Sequence, residues 1–429
     1  MQDIQKKINQ KEAQKRKKNM KTYPYYIMVG YDLMFYYSIY VLFLSQVKHV
    51  SDANIVLLSS IYALGTIIFI LPASAIVTKI GTRKAIMISD LLSMISTSCY
   101  IVGNTYILFV IGQLISSIAF ALKNTSVSPF LQETIPETDK RSEIFSRIDS
   151  SGYSKYCIFS AVSTILSGYL YNIDPYIPMF LCMLISIISF IIASHFEQIE
   201  KTKKEKTLKQ NLKELKEVIK FTLKTQRLKS LLLSLGLIWG VLTTFTMYSQ
   251  TLLKNLEVPA QYIGIILALL EVLKGLFSKR VELFNKKNQN TSLTKILYTM
   301  ALCFVIIGII SIINIPWAMK IAIIILLFII IRGMNGIYQI ICKRYINNFM
   351  NVKVLPSIYS MQSLFDNISR VVITLIASRI LNFMNIQYAT VLMGVIFVIV
   401  TSIVSGYMRT RVGLEPEEYS EKEMKYLEK

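Results

Sequence analysis

Apolar runs long enough to cross a membrane recur along this chain, and they constrain its fold more than any other feature. Many reach about 18 residues, the length at which an α-helix begins to span a hydrocarbon core of about 30 Å. The composition agrees, because 53% of the residues are hydrophobic and only 17% are charged. Backbone polar groups in lipid must find partners within their own segment, so each run is predicted to be a helix. The fold class is therefore an all-α membrane protein.

The apolar runs predict twelve membrane-spanning helices, six on each side of a polar central segment. The predicted spans are Tyr23–Leu44, Ala53–Val77, Ala85–Val102, Tyr106–Phe130, Ile144–Tyr171, Ile177–Phe196, Leu228–Leu252, Pro259–Phe277, Leu293–Ile313, Trp317–Cys342, Leu355–Phe383 and Gln387–Met408. The predicted domains are a basic tail at 1–22, a six-helix bundle at 23–196, a linker at 197–227, a second six-helix bundle at 228–408 and a tail at 409–429.

The net charge of +21 lies mainly in alternating connectors between the spans. With the amino terminus inside, the outer connectors hold only two basic residues, Lys48 and Lys254. This distribution follows the positive-inside rule and places both termini in the cytoplasm. It also argues against nucleic-acid binding, the usual interpretation of a strongly basic chain. The predicted location is the plasma or inner membrane, and the wealth of lysine, isoleucine and asparagine is typical of a low-GC bacterium.

The central linker has a helical spacing of apolar residues, with lysines on its other faces. The apolar positions are Leu208, Leu212, Leu215, Ile219 and Leu223. Such an amphipathic helix is predicted to lie on the inner membrane surface, with its lysines toward anionic headgroups. A solvated linker helix is the alternative.

Several classes of chemistry have no signature in this sequence. It contains no Walker-type glycine–lysine loop, no H-E-x-x-H motif and no nucleophile elbow. The five cysteines lie in or at the ends of apolar runs without metal-binding spacing, and only two histidines are present. No cofactor, no metal and no enzymatic activity are therefore expected. The chain is expected to work as a monomer in the lipid bilayer.

Charged residues inside the predicted spans are the strongest candidates for function. A charge near the bilayer centre costs about 2.5–3.5 kcal/mol on insertion scales, so such residues usually face a cavity or a partner. The candidates for the substrate path or for proton coupling are Asp32, Asp149, Lys155, Glu271, Lys274, Arg332, Asp366 and Arg370. Two shallower residues, Lys123 and Asp149, are predicted to snorkel toward the inner face.

Four of these candidates form two pairs, and the members of each pair lie on the same face of a helix. Glu271 and Lys274 are three residues apart, and Asp366 and Arg370 are four apart. They are predicted either to be neutralised pairs that make insertion tolerable or to line the substrate path. Asp32 is the first candidate for a carboxylate that titrates, because no basic residue lies within one helical turn of it, and Glu271 is the second.

Aromatic side chains are expected to form walls beside these charges. Tyr31 and Tyr36 are predicted around Asp32, and Tyr338 around Arg332. Packing, or a position in an interface belt, is the alternative interpretation for each of these tyrosines.

The loop between the second and third spans carries a family resemblance. It reads SAIVTKIGTRK, which resembles the signature G-x-L-A-D-R-x-G-R-K of the major facilitator superfamily. The glycine permits a tight turn between two helices, and the basic residues hold that turn at the cytoplasmic face. A serine replaces the first glycine of the signature and a threonine replaces its aspartate, which helps to lock the two halves in the family. The corresponding residues are Ser74, Thr78, Lys79, Gly81, Arg83 and Lys84.

The resemblance implies a secondary transporter with two six-helix bundles and alternating access. Within the superfamily, the chain is most similar to bacterial efflux and multidrug-like permeases. The implied function is proton-coupled efflux of a small organic molecule, with another coupling ion as the alternative. Proton-coupled uptake of a polar or anionic metabolite is the alternative. A membrane sensor or scaffold that keeps the fold without transporting is the alternative from another class.

Overall fold

The computed structural model describes residues 2–136, 141–199, 220, 226–278, 292–349 and 355–409. These residues are almost entirely helical. The elements are α1 (Gln2–Gly30), α2 (Tyr40–Leu42) with a π-helix (Phe43–Val47), α3 (Asp52–Ile80), α4 (Thr82–Val102), α5 (Tyr106–Thr134), α6 (Arg141–Ile173), α7 (Tyr176–Ser194), α8 (Gln226–Asn255), α9 (Ala260–Ser278), α10 (Ser292–Ile312), α11 (Trp317–Phe349), α12 (Leu355–Phe383) and α13 (Ile386–Arg409). The predicted surface helix of the linker lies mostly outside the described residues.

Nine helices in the described part of the chain are long and apolar enough to cross a membrane. They are α3, α4, α5, α7, α8, α9, α10, α11 and α13. The helices in the place of the first, fifth and eleventh predicted spans, α1, α6 and α12, do not meet that criterion. The protein is therefore a multi-pass membrane protein, while the number of twelve spans and the cytoplasmic termini stay predictions.

The first predicted span is not one continuous helix, so that part of the prediction is wrong. Helix α1 ends at Gly30, and bends and turns follow as far as Ile39 before the chain becomes helical again. Phe35 has a φ of 65°, which is left-handed backbone that a helix does not contain. Just after Gly30, the Asp32 carboxylate accepts a hydrogen bond of 2.9 Å from the Leu33 amide. This local bond competes with the helical ladder and favours the break.

The contacts divide the chain into two compact units. The first contains Met1–Phe43 and Gly65–Asn211, and the second contains Leu44–Leu64 and Leu212–Lys429. In the first unit, α1 packs against α6 and α7, and α4 packs against α5 and α7. The predicted domain boundary within 197–227 stays a prediction.

The second unit repeats the helix pairing of the first. Helix α8 packs against α12 and α13, and α10 packs against α11 and α13. In both units, the first of six helices therefore contacts the fifth and sixth, and the third contacts the fourth and sixth. This shared pattern is the plan of a transporter built from an internal repeat.

Glycines allow the close approach of α10 and α13. A Cβ atom added to Gly308 would lie 2.6 Å from the Val391 nitrogen, and one added to Gly394 would lie 2.5 Å from the Val305 nitrogen. Both contacts involve backbone, which has little room to give way. Small residues at such positions let helices pack tightly in a membrane.

We expect the Gly394→Ala substitution to destabilise the protein by about 1–3 kcal/mol, because the added methyl meets rigid backbone in a packed core. Gly406 lies on the same helix with nothing within 4 Å of an added Cβ, so it is the matched control position. The Gly406→Ala substitution should leave stability unchanged or raise it slightly through helix propensity. Thermal unfolding of the purified protein in detergent checks this, and equal melting temperatures for the two variants would contradict it.

The basic amino-terminal segment is the beginning of α1 and is anchored to other helices of the first unit. Arg16 donates hydrogen bonds to the carbonyl oxygens of Glu133 (2.8 Å) and Thr134 (3.1 Å) at the end of α5. Asn19 exchanges two hydrogen bonds with the backbone of Glu197, and Lys18 forms an ion pair of 2.6 Å with the Glu197 carboxylate. The hydrogen bond and charge of Lys18 lower the pKa of Glu197 below its ordinary value. Cationic side chains at helix carboxyl ends stabilise them through the helix dipole.

Candidate functional site

The break after α1 presents Asp32 as a carboxylate with only neutral hydrogen-bond donors. Besides the Leu33 amide, the Tyr37 hydroxyl lies within hydrogen-bonding reach of this carboxylate. Among the described residues no cation lies within ion-pair distance of Asp32, although the charge of Lys123 acts on it. Asp32 is half-buried.

A buried ion pair stabilises the end of α1 beside this break. The Lys123 ammonium, on α5, donates a hydrogen bond of 2.7 Å to the Gly30 carbonyl and lies 2.9 Å from the Asp90 carboxylate on α4. Asp90 is 1% exposed and also accepts hydrogen bonds from Ser189 (3.1 Å) and Tyr26 (3.4 Å). The prediction that Lys123 snorkels to the inner face is wrong, because the side chain finds a buried partner. A cation is favoured at this position, since helix carboxyl ends carry partial negative charge.

Tyr31 joins an aromatic cluster with two tyrosines of α6. Its ring centroid lies 5.6 Å from that of Tyr153 and 4.4 Å from that of Tyr156. The Tyr153 and Tyr156 centroids are 5.6 Å apart, so the three rings contact one another. Tyr31 and Tyr153 are nevertheless about half exposed, at 49% and 46%.

Tyr36 is buried in a separate aromatic group. Its ring lies 5.4 Å from Tyr37, 5.0 Å from Tyr40 and 5.5 Å from Tyr100. Tyr36 and Tyr37 both lie within the break, and Tyr37 is the one whose hydroxyl reaches the Asp32 carboxylate.

Two further charged candidates lie on α6 and contact aromatic residues of α1. The Tyr23 hydroxyl donates a hydrogen bond of 3.1 Å to the Asp149 carboxylate. The Lys155 ammonium lies 5.4 Å from the centroid of the Tyr25 ring, a cation–π contact. The candidate charges of the first unit thus have different partners and do not form one cluster.

In the second unit, three candidates come together from two helices. Glu271 pairs with Lys274 at 3.2 Å, as the spacing predicted, and also with Arg332 of α11 at 3.3 Å. Arg332 donates to the Thr246 hydroxyl at 3.4 Å and lies 5.3 Å from the Phe245 ring centroid. The Glu271 side chain is 47% exposed and that of Arg332 is 11% exposed. This cluster therefore has one carboxylate, two cations and an accessible edge.

Tyr338, which was predicted beside Arg332, has a hydrogen-bond partner on α8. It is buried, and its hydroxyl donates a hydrogen bond of 3.1 Å to the Leu235 carbonyl on α8. The aromatic ring over Arg332 is that of Phe245. Six residues separate Tyr338 from Arg332, which rotates the two side chains about 120° apart on a helix.

Of the two alternatives for Asp366 and Arg370, the neutralised pair is not found among the described residues. The Arg370 guanidinium donates to the Ser59 hydroxyl at 2.9 and 3.2 Å and lies 4.9 Å from the Tyr62 ring centroid, both on α3. One oxygen of Asp366, Oδ1, is buried without a hydrogen-bond partner in the described part of the chain. The spacing permits an ion pair along one helix, but α3 offers the guanidinium a closer set of contacts.

The loop between α3 and α4 has the tight turn that its glycine predicted. Gly81 has a φ of 87°, in the left-handed region that favours glycine, and it precedes the first turn of α4. Thr78 donates to the Ser74 carbonyl at 2.9 Å and stays within α3. Arg83 donates to the Ser194 carbonyl at 2.8 Å and caps the end of α7. The other two basic residues, Lys79 and Lys84, are exposed.

Helix α6 exposes two faces of different character. One is apolar and contains Ile158, Val162, Ile165, Leu166 and Tyr169. The other is mostly polar and contains Ser150, Tyr153, Ser154 and Cys157. The Cys157 side chain is exposed on this face.

Helix α12, the equivalent helix of the second unit, has the same division. Its exposed apolar residues are Ile368, Val372, Leu375 and Ile376. The opposite face carries Ser363, Asp366, Asn367 and Arg370, whose separations of three and four residues place them on one side of the helix. Apolar faces suit lipid, whereas the polar faces need water or other protein groups.

Asp90 and Lys123 are the residues of this region that the sequence did not select. Their charges in adjacent spans were visible, but hydropathy does not indicate which helices meet. Among the described residues no group of three or more His, Cys, Asp or Glu side chains could hold a metal ion.

The sequence model of the Major Facilitator Superfamily matches residues 22–334 of this chain. The fold is similar to the nucleoside transporter NupG (TM-score 0.70, 11% identity, covering 92% of this chain and 99% of that one). It is also similar to a D-xylose-proton symporter (TM-score 0.66, 14% identity, 91% and 96% covered). A third similar structure is a bacterial homolog of the human lysosomal transporter Spinster (TM-score 0.67, 11% identity, 93% and 98% covered).

At these identities the structural likeness shows the fold alone, and no curated protein sequence matches the chain. The family match, by contrast, spans most of the residues and includes the loop with the signature-like turn. The chain belongs to the Major Facilitator Superfamily, whose fold is that of a membrane transporter rather than an enzyme.

Proposed function

We propose that this protein is a secondary active transporter that exports a small polar organic molecule in exchange for protons. It works by alternating access of its two repeated units, as a monomer in the plasma membrane. The efflux direction follows from the likeness of the sequence to efflux permeases.

The polar faces of α6 and α12 are the observation that carries this proposal. A helix surrounded by lipid presents apolar residues all round, because a polar group there lacks partners. These two helices instead present lipid-compatible residues on one side and serine, asparagine, tyrosine and charged residues on the other. They occupy equivalent places in the two units, against α1 and α8. Access of water to the polar face of each helix accounts for this pattern.

The charges inside the two units indicate the kind of cargo. The first unit contributes Asp32 and Asp149, and the second unit contributes the cluster of Glu271, Lys274 and Arg332. Charged groups of both signs in a membrane interior favour a polar or zwitterionic cargo over a purely lipophilic one.

Proton-coupled uptake is the second candidate, because the D-xylose-proton symporter shares the fold. The two directions use the same helices and differ in the sign of coupling between proton and cargo. In antiport, cargo moving out of a vesicle draws protons in; in symport, the two move together.

The test uses purified protein in liposomes that contain a pH-sensitive dye and a panel of polar organic compounds. We expect at least one compound to drive proton movement against its own flux, and a proton ionophore to abolish the accumulation of that compound. Proton movement in the same direction as the cargo would replace efflux with symport. Flux without any proton movement would exclude proton coupling, and the absence of flux for the whole panel would favour a sensor or scaffold.

A further inference from the structure

We propose that Tyr31, Tyr153 and Tyr156, with Asp32 and Asp149, form a subsite of the first unit for a protonated, ring-bearing part of the cargo. This inference rests on the proposed transport function and adds a chemical class of substrate to it. The ligand class is an organic cation or zwitterion whose positive group is attached to a flat ring.

The three tyrosines make an aromatic surface that is not fully used by the fold. Their centroids are 4.4 to 5.6 Å apart, which is the range of favourable ring contacts. Two of the three rings stay about half exposed, on the polar side of α6. Tyr169 is equally exposed, at 47%, but lies about 160° around the helix on the apolar side. The exposed position of Tyr153 is therefore distinct from that of a lipid-facing tyrosine.

The charges around these rings are negative. Asp32 directly follows Tyr31 in the chain, and the carboxylates of Asp32 and Asp149 both act on Tyr31 electrostatically. Among the described residues neither carboxylate has an ion pair: Asp32 accepts from the Leu33 amide, and Asp149 accepts from the Tyr23 hydroxyl. Neither carboxylate therefore has a cation in direct contact.

The lysines of this region are engaged elsewhere. The Lys155 ammonium lies over the Tyr25 ring, and the Lys123 ammonium is held by Asp90 and the Gly30 carbonyl. A cation is attracted both to an aromatic face and to a carboxylate, and a flat ring stacks on tyrosine. The surface is thus suited to an aromatic amine and unsuited to an anion.

The test measures protection of Cys157 from a maleimide, because this exposed residue directly follows Tyr156. Modification of the full-length protein in detergent is quantified at Cys157 by peptide mass spectrometry. The probes are benzylammonium, cyclohexylmethylammonium, which lacks the flat ring, and benzyl alcohol, which lacks the charge. We expect benzylammonium to protect at a concentration about tenfold lower than either of the others. Cyclohexylmethylammonium loses the ring stacking, and benzyl alcohol loses the cation–π contact and the attraction to the carboxylates.

The matched variants are Tyr153→Leu and Tyr169→Leu, two equally exposed tyrosines on opposite faces of α6. The first should abolish protection by benzylammonium, and the second should leave it unchanged. Equal protection by the three probes, or full protection in Tyr153→Leu, would overturn the subsite. So would the absence of any protection by benzylammonium. Because labelling reports binding at equilibrium, these outcomes are independent of the dye assay that judges transport and proton coupling.

Discussion

Replacing Lys123 by methionine is expected to lower the free energy of unfolding by about 3–5 kcal/mol, the usual cost of breaking a buried ion pair. The substitution leaves the Asp90 carboxylate, which is 1% exposed, without its cation. It also removes the hydrogen bond to the Gly30 carbonyl at the end of α1. Thermal or denaturant-induced unfolding of the purified protein measures the loss.

A double variant separates the charge from the shape of this pair. Replacing Asp90 by asparagine together with Lys123→Met removes both charges and should recover much of the stability, since no buried charge is left unpaired. The control is Lys155→Met, which removes a lysine held only over an aromatic ring and should cost about 1 kcal/mol or less. If the double variant is as unstable as Lys123→Met alone, the ion pair is not the source of the effect.

The Asp32→Asn substitution is expected to abolish cargo-driven proton movement, while the three tyrosines and Asp149 still allow weaker binding and exchange of cargo. The hydrogen-bond partners of Asp32 among the described residues are neutral donors, so taking up a proton leaves no partner charge unpaired. Asparagine keeps the size and the hydrogen-bond acceptor of the side chain but cannot titrate. The liposome dye assay measures the loss of proton movement, and exchange of labelled cargo across the membrane measures what remains.

Glu271→Gln is the contrasting variant for Asp32→Asn. Glu271 pairs with Lys274 and Arg332, so its neutralisation leaves two cations without their anion. We expect this variant to lose cargo exchange or stability rather than coupling alone. Normal coupling in Asp32→Asn would eliminate Asp32 as the proton carrier, and selective uncoupling in Glu271→Gln would assign that role to Glu271.

The positions of most helices follow directly from the apolar runs. The predicted span Leu355–Phe383 has the bounds of α12, and Tyr106 and Trp317 begin α5 and α11 as predicted. Hydropathy identifies these helices because the cost of placing polar groups in lipid acts on each segment separately. The glycine of the turn before α4 was likewise visible in the sequence, since a positive φ restricts the residue type.

The break in the first span was not visible, for a local reason. Residues 33–44 are almost entirely apolar and aromatic, so their hydropathy continues that of α1 without interruption. The signals at the break are Gly30 and Asp32, and each is tolerated in a continuous helix. The hydrogen bond from the Leu33 amide to the Asp32 side chain favours the broken helix over the continuous one. This bond depends on the rotamer of Asp32, which the sequence does not give.

The partners of the buried charges could be predicted only where they lie on one helix. The pairing of Glu271 with Lys274 follows from helical spacing, and the structure contains it. Two other ion pairs join different helices and therefore depend on how those helices pack. They are Asp90 with Lys123 and Glu271 with Arg332. Helical spacing alone also gives a pair that does not form. Arg370 donates to Ser59 on another helix instead of pairing with the nearby Asp366.

The course of the chain between its two units has a consequence for attempts to divide the protein. Leu44–Leu64 belongs to the second unit although the chain then returns to the first at Gly65. Ser60 and Thr374 share a hydrogen bond of 2.6 Å, and Ser378 donates to the Ala53 carbonyl at 2.8 Å. A protease that cut within 200–219 would leave an amino-terminal fragment that still carries Leu44–Leu64, a packed piece of the second unit. The two polypeptides would remain interlocked, and half-chains expressed separately would have to fold in each other's presence.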